Sequence, residues 1–82
     1  MTPKQTKKKL LDLGLTVADL ASELHEQYPD TNERSLYTMV DNMVWGRNYY
    51  PRYALYLNTK YGFQFERPAH MRPVRELLKA AA

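Results

Sequence analysis

Three glycines constrain this chain most, because each directly follows a segment in which apolar residues recur at helical spacing. Gly14, Gly46 and Gly62 stand where a helix can end in the left-handed backbone conformation that glycine adopts without strain. Residues suited to begin a helix stand at the other ends of these segments. The agreement of start signals, apolar spacing and stop signals predicts an all-α fold, a bundle of four to five helices.

The first two predicted helices begin at threonine caps. Helix one starts after Thr2, with Pro3 at its first position, and extends to about Leu13. Its predicted apolar side chains are Leu10, Leu11 and Leu13. Helix two starts after Thr16 and is stopped by Pro29. Its predicted apolar face is Val17, Leu20, Ala21, Leu24 and Tyr28.

Helix three is predicted over residues 32–44, and helix four from Pro51 to the third glycine. A cap at Asp30, with Glu33 three residues later, fits the start of helix three. Trp45, at the end of that helix, is expected to fill a gap in the core rather than to bind a ligand. The predicted inward stripes are Leu36, Met39, Val40, Met43 and Val44 in helix three, and Tyr53, Ala54, Leu57 and Tyr61 in helix four.

The pattern divides the chain into a helical domain, residues 1–65, and a tail, residues 66–82. Phe63-Gln64-Phe65 is expected to fold back over the helices, since nothing else in the chain offers a strand partner. Pro73 fits the start of a last short helix to about Ala81, which would provide a dimer contact.

Charge is distributed unevenly behind a net value of +3. Residues 1–9 contain four lysines and no acidic residue, whereas residues 10–46 contain seven acidic residues and one arginine. Basic residues predominate again from Arg47 onward. One interpretation is a solvated arm and ordinary surface charge. The other is that the arm and the loop before helix four contact phosphate.

The composition excludes several classes of function. The 82 residues include no cysteine, so a disulfide framework, a thiolate metal site and a cysteine nucleophile are excluded. His25 and His70 are too far apart in the chain to form a helical metal-ligand pair. No apolar run is long enough to cross a membrane. We therefore expect an intracellular, cytoplasmic protein that is not an enzyme and has no metal or other cofactor.

Two short helices joined by a turn and flanked by supporting helices are typical of a helix-turn-helix, whose second helix enters the DNA major groove. The first helix of such a pair needs a small residue facing its partner, and Ala21 meets that need. The second needs an apolar inner stripe and a polar outer face. That outer face would be Asn32, Arg34, Ser35, Tyr37 and Thr38.

The segment LLDLGLTVADLA, residues 10–21, resembles the opening of small lambda-repressor-like helix-turn-helix regulators, which are common in phages and mobile elements. Gly46-Arg47 followed by Tyr50-Pro51-Arg52 is also similar to that family, and the resemblance covers about residues 4–62.

The chain departs from the family pattern at the turn and at the start of helix three. His25 stands where the family usually has glycine, residues 26–32 make a longer connection, and Asn32-Glu33-Arg34 replaces the usual Gln or Ser. These departures would change the angle at which helix three is presented.

The resemblance implies a sequence-specific, repressor-like transcriptional regulator that binds double-stranded DNA as a homodimer in a bacterial cytoplasm, close to the nucleoid. Arg34 would pair with guanine and Asn32 with adenine. The implied base contacts are Asn32, Arg34, Ser35, Tyr37 and Thr38. The implied backbone contacts are Lys4, Lys7, Lys8, Arg47, Asn48 and Arg52.

Other interpretations of the same residues stay open. Asp19, Glu23 and Glu26 form an acidic face, which is either solvated or a docking surface for a basic protein partner. Glu33 and Asp41 repel phosphate unless they point away, pair with Arg34 or accept from cytosine amino groups. Arg34 would otherwise belong to a surface ion-pair network.

Four tyrosines near the start of helix four also have two interpretations. They would stack on single-stranded bases or, as the inward spacing of half of them favours, pack in the core; they are Tyr49, Tyr50, Tyr53 and Tyr56.

Overall fold

A computed structural model describes residues 2–67, which form four α-helices and no strand. The helices are α1 (Pro3–Leu13), α2 (Val17–Gln27), α3 (Glu33–Val44) and α4 (Pro51–Tyr61). The prediction of an all-α fold is confirmed, and the helix expected from Pro73 lies outside the described residues. Within residues 2–67, no helix is both long and apolar enough to cross a membrane.

Local signals determine where α1 and α2 begin. The hydroxyl groups of Thr2 and Thr16 each accept a hydrogen bond from the backbone N–H three residues later. The side chains of Gln5 and Asp19 accept in return from the threonine N–H groups, which completes both capping boxes. Gly14 then ends α1 with a φ of 69°, in the left-handed region.

The start of α3 differs from the prediction. Its cap is Asn32, whose Oδ1 accepts from the backbone N–H of Ser35 at 2.7 Å. Asp30 instead pairs with Arg52 of α4 at 3.1 Å. The predicted cap at Asp30 was wrong because the turn continues for two more residues, and a cap acts only from the position directly before the helix.

The hydrophobic core is one cluster to which all four helices contribute. Its largest fully buried aliphatic side chains are Leu20, Leu24, Leu36, Val40 and Leu57. Phe63 and Phe65 are 2% and 8% exposed, and Asn58 holds Phe65 through two hydrogen bonds of 3.0 Å to its backbone. The prediction that this segment folds back over the helices is therefore confirmed.

Helix α1 contributes less apolar surface than expected. Leu10 is buried, but Leu11 is 80% exposed and Leu13 is 42% exposed. The inward position one turn before Leu10 belongs to Thr6, which is 2% exposed and donates its hydroxyl to the carbonyl of Thr2. Leu11 lies about 100° around the helix from Leu10, so both cannot face the core.

Candidate nucleic-acid interface

Helix α3 has one buried side and one outward face. The outward face consists of Arg34, Tyr37, Thr38, Asp41 and Trp45, which recur every three or four residues and therefore lie along one side. Tyr37 is 47% exposed, and Arg34 and Thr38 are also exposed. The opposite side is buried through Leu36, Val40, Met43 and Val44. We call the first set the α3 outward face.

A groove of about 400 Å³ lies between α2 and the first two turns of α3. Ala18 and Ala21 form its α2 wall, and because both are small they leave room beside α3. The α3 wall is Glu33, Arg34, Tyr37 and Thr38. A guanidinium, a carboxylate, an aromatic ring and methyl groups thus line one concave surface, which we call the α2–α3 groove.

The predicted base-contacting residues differ in how free their side chains are. Asn32 uses its Oδ1 to cap α3, so a two-bond contact with adenine would break the cap. Ser35 is half-buried. Thr38 donates its hydroxyl to the carbonyl of Arg34 at 3.3 Å, which leaves its methyl group for outside contacts. Arg34 has no acidic partner within residues 2–67, so the surface ion-pair network is not formed there.

Three cations from the distal part of the chain pair with acidic residues of the middle part. The pairs are Arg47–Asp41 at 2.9 Å, Arg52–Asp30 at 3.1 Å and Lys60–Glu23 at 2.8 Å. Arg47 and Arg52, both predicted to contact the DNA backbone, therefore share their charge with carboxylates. Asn48, predicted for the same role, is half-buried and donates to the hydroxyl of Tyr50 at 2.9 Å.

The long connection between α2 and α3 is fixed by contacts with both neighbouring helices. His25 lies within α2, in its last helical turn, whereas we expected it in the connection that follows the helix. Its Nδ1 donates to the carbonyl of Thr31 at 2.8 Å. The hydroxyl of Thr31 shares a 2.8 Å hydrogen bond with that of Tyr53. The start of α3 is therefore held relative to both α2 and α4.

Arg52 adds a second link to this connection. Its guanidinium lies 4.1 Å from the ring centre of Tyr28 and bonds to Asp30. The hydrogen bond from Arg52 holds the pKa of Asp30 below its ordinary value, and the same bond raises the pKa of Arg52.

Glu23 is not on a solvated face, contrary to the interpretation from the sequence. Its side chain is 21% exposed and accepts from Lys60 at 2.8 Å and from the hydroxyl of Tyr61 at 2.6 Å. Burial alone would raise the pKa of Glu23, but hydrogen bonds from Lys60, Tyr61 and Tyr56 lower it below its ordinary value. Glu23 thus joins α2 to α4 rather than facing a partner.

The acidic face predicted to bind a protein partner therefore keeps fewer carboxylates that are free to do so. Asp19 accepts from the N–H of Thr16 in the cap of α2, and Glu23 is engaged by α4. Glu26 remains exposed. Of the four tyrosines near the start of α4, Tyr53 is buried and the other three are half-buried against the core.

Trp45 does not fill a gap in the core, because it is 46% exposed. The ammonium group of Lys7 in α1 lies 3.3 Å from the ring centre of Trp45, and the guanidinium of Arg47 lies at 5.9 Å. The spacing of Trp45 from Asp41 and Thr38 already placed it on the α3 outward face. The prediction of a core position followed instead the usual role of a tryptophan at a helix end, and it was wrong.

The lysines of α1, and Arg67 after α4, are further cations without carboxylate partners in the described part of the chain. Lys4, Lys7 and Lys8 are exposed, and none has an acidic partner within 4.0 Å among residues 2–67. Through its contact with Trp45, Lys7 places this helix beside the end of the α3 outward face.

Comparison of the chain with known protein families, with curated proteins and with solved structures gives no match.

Proposed function

We propose that this chain binds double-stranded DNA sequence-specifically through α3 and acts as a repressor-like transcriptional regulator, as a homodimer. The observation that carries the proposal is the state of Arg34. Three other cations of the described chain are paired with carboxylates, whereas Arg34 is exposed at the start of α3 without an acidic partner in residues 2–67. An arginine in that position can donate two hydrogen bonds to guanine.

The length of the α3 outward face supports the same proposal. Arg34 and Trp45 are eleven positions apart in the chain, or about 16 Å along the helix axis. The major groove of B-DNA is about 12 Å wide. With the Arg34 end in the groove, the Trp45 end, flanked by Lys7 and Arg47, lies at the level of the phosphates.

The arrangement of charge fits this division of roles. The lysines of α1, which have no carboxylate partner within residues 2–67, provide the phosphate contacts that give affinity for any sequence. Glu33 stands beside Arg34, so the reading end of α3 is not uniformly basic. A small domain of this kind gains specificity by binding two half-sites about one helical turn apart, which is why we propose a homodimer.

Selection of bound sequences from random duplex DNA, with the full chain, tests the proposal. We expect enrichment of a short sequence in two symmetric copies. Binding of the enriched duplex should weaken steeply as salt rises, since phosphate contacts release counterions. Absence of binding even at low salt would contradict the proposal and would favour a protein partner instead. Binding without any enrichment would contradict sequence-specific reading.

A further inference from the structure

The α2–α3 groove brings together chemical groups of three kinds. Arg34 provides hydrogen-bond donors and Glu33 provides acceptors. Tyr37, Ala18 and the methyl group of Thr38 provide apolar surface. The groove has a volume of about 400 Å³, so it can take the edge of a base pair rather than a single atom.

The carboxylate decides against a phosphate as the occupant. A phosphate drawn to Arg34 would also approach Glu33, which repels it. The major-groove edge of a G·C pair carries acceptors at O6 and N7 of guanine and a donor at N4 of cytosine. Arg34 matches the guanine acceptors, and Glu33 matches an amino group.

The apolar part of the groove needs a different partner, because a G·C pair has no methyl group on this edge. The 5-methyl group of thymine is the apolar group that the major groove presents. Tyr37 is 47% exposed, so its ring has a large surface that a methyl group can cover. Ala18, on the opposite wall, is exposed as well and too small to fill the space itself.

We propose that the α2–α3 groove reads a guanine together with a directly adjacent thymine. Arg34 binds O6 and N7 of the guanine, and the thymine 5-methyl group packs against Tyr37 and Ala18. This inference rests on the proposed function, because it names the bases that the reading end of α3 selects.

Chemical replacement of single bases in the enriched duplex tests the inference on the unaltered protein. Deoxyuridine in place of the thymine removes only the methyl group, and we expect about fourfold weaker binding from the lost burial of one carbon. Replacement of the guanine by 7-deazaguanine removes the N7 acceptor, and we expect roughly tenfold weaker binding. Both affinities are measured by fluorescence anisotropy with labelled duplexes.

Two variants assign these losses to their side chains. In Tyr37→Ala, deoxyuridine and thymine duplexes should bind equally, and in Arg34→Ala, guanine and 7-deazaguanine duplexes should bind equally. Leu55→Ala is the matched control, since Leu55 is 69% exposed on α4 and lies outside the groove. The Leu55→Ala variant should keep both affinity differences, between thymine and deoxyuridine duplexes and between guanine and 7-deazaguanine duplexes.

The outcomes separate the inference from the proposed function. If no sequence is enriched, the proposed function fails, and the inference fails with it because no base is selected. If a sequence is enriched but lacks a guanine beside a thymine, or binds unchanged after both replacements, the inference is wrong while the proposed function stands. If the deoxyuridine replacement weakens binding equally in Tyr37→Ala and in the unaltered chain, the thymine methyl group is not read by Tyr37 and the inference is wrong.

Discussion

Single residues show how an acidic stretch is accommodated beside cations that come later in the chain. Glu23, Asp30 and Asp41 each have a specific partner in Lys60, Arg52 and Arg47. The pairs that involve Asp30 and Asp41 are largely exposed and stabilise the fold little. Glu23 is different because it is mostly covered and also accepts from Tyr61.

Glu23→Gln should lower the stability of the fold by about 1 kcal/mol at pH 7, or roughly 4–8 °C in Tm. Because folding lowers the pKa of Glu23, its contribution is fully present above its ordinary pKa of 4.5 and is lost as the pH falls further. The difference in Tm between the variant and the unaltered chain should therefore shrink from pH 6 to pH 3. Thermal unfolding followed by circular dichroism measures it.

Glu26→Gln is the control for this prediction, because Glu26 is exposed on the same helix. It should leave Tm unchanged at pH 7. A Glu23→Gln difference that stays constant between pH 6 and pH 3 would show that the carboxylate charge does not stabilise the fold.

At the scale of elements, the positions of the helices could be predicted from the sequence, but the side-chain contacts between helices could not. Caps, apolar spacing and the glycine after α1 act within a few residues, so the sequence already located all four helices. The contact of Lys7 with Trp45 and the bonds of Glu23 join residues far apart in the chain. No local pattern indicates such pairs, which is why Trp45 was assigned to the core and Glu23 to a solvated face.

The cap of α3 gives a prediction that separates folding from binding. Asn32→Ala removes the hydrogen bond that the side chain accepts from the N–H of Ser35 and should cost about 1 kcal/mol of stability. Asn32→Asp keeps the cap and should keep Tm, since a carboxylate suits a helix N-terminus. The added negative charge, at the end of α3 that we propose to face DNA, should nevertheless weaken DNA binding. Equal loss of Tm in both variants would show that Asn32 does not act as the cap.

At the scale of the whole molecule, the described cations fall into two groups. Arg47 of the loop before α4, and Arg52 and Lys60 of α4, pair with three carboxylates of the acidic middle of the chain. The others, which are Arg34, the lysines of α1 and Arg67, have no carboxylate partner within residues 2–67. Their charge is available to a polyanion. Trp45 lies where Lys7 of α1 meets the α3 outward face.

Trp45 is the single tryptophan of the chain, so its fluorescence reports on that place. Iodide should quench the free protein efficiently, because the ring is 46% exposed and flanked by Lys7 and Arg47. Saturation with duplex DNA should lower the quenching constant by about half or more, since phosphates then cover the ring and repel the anion. Unchanged quenching in the saturated complex would place the DNA on another surface.

In the proposed complex, α3 reads the DNA sequence while α1 supplies positive charge. The most direct test compares Arg34→Ala and Lys8→Ala on the enriched duplex and on random duplex at one salt concentration. Arg34→Ala should lose about 10- to 100-fold on the enriched duplex and much less on random DNA. Lys8→Ala should weaken both by a similar factor. Equal losses on both duplexes for Arg34→Ala would contradict the claim.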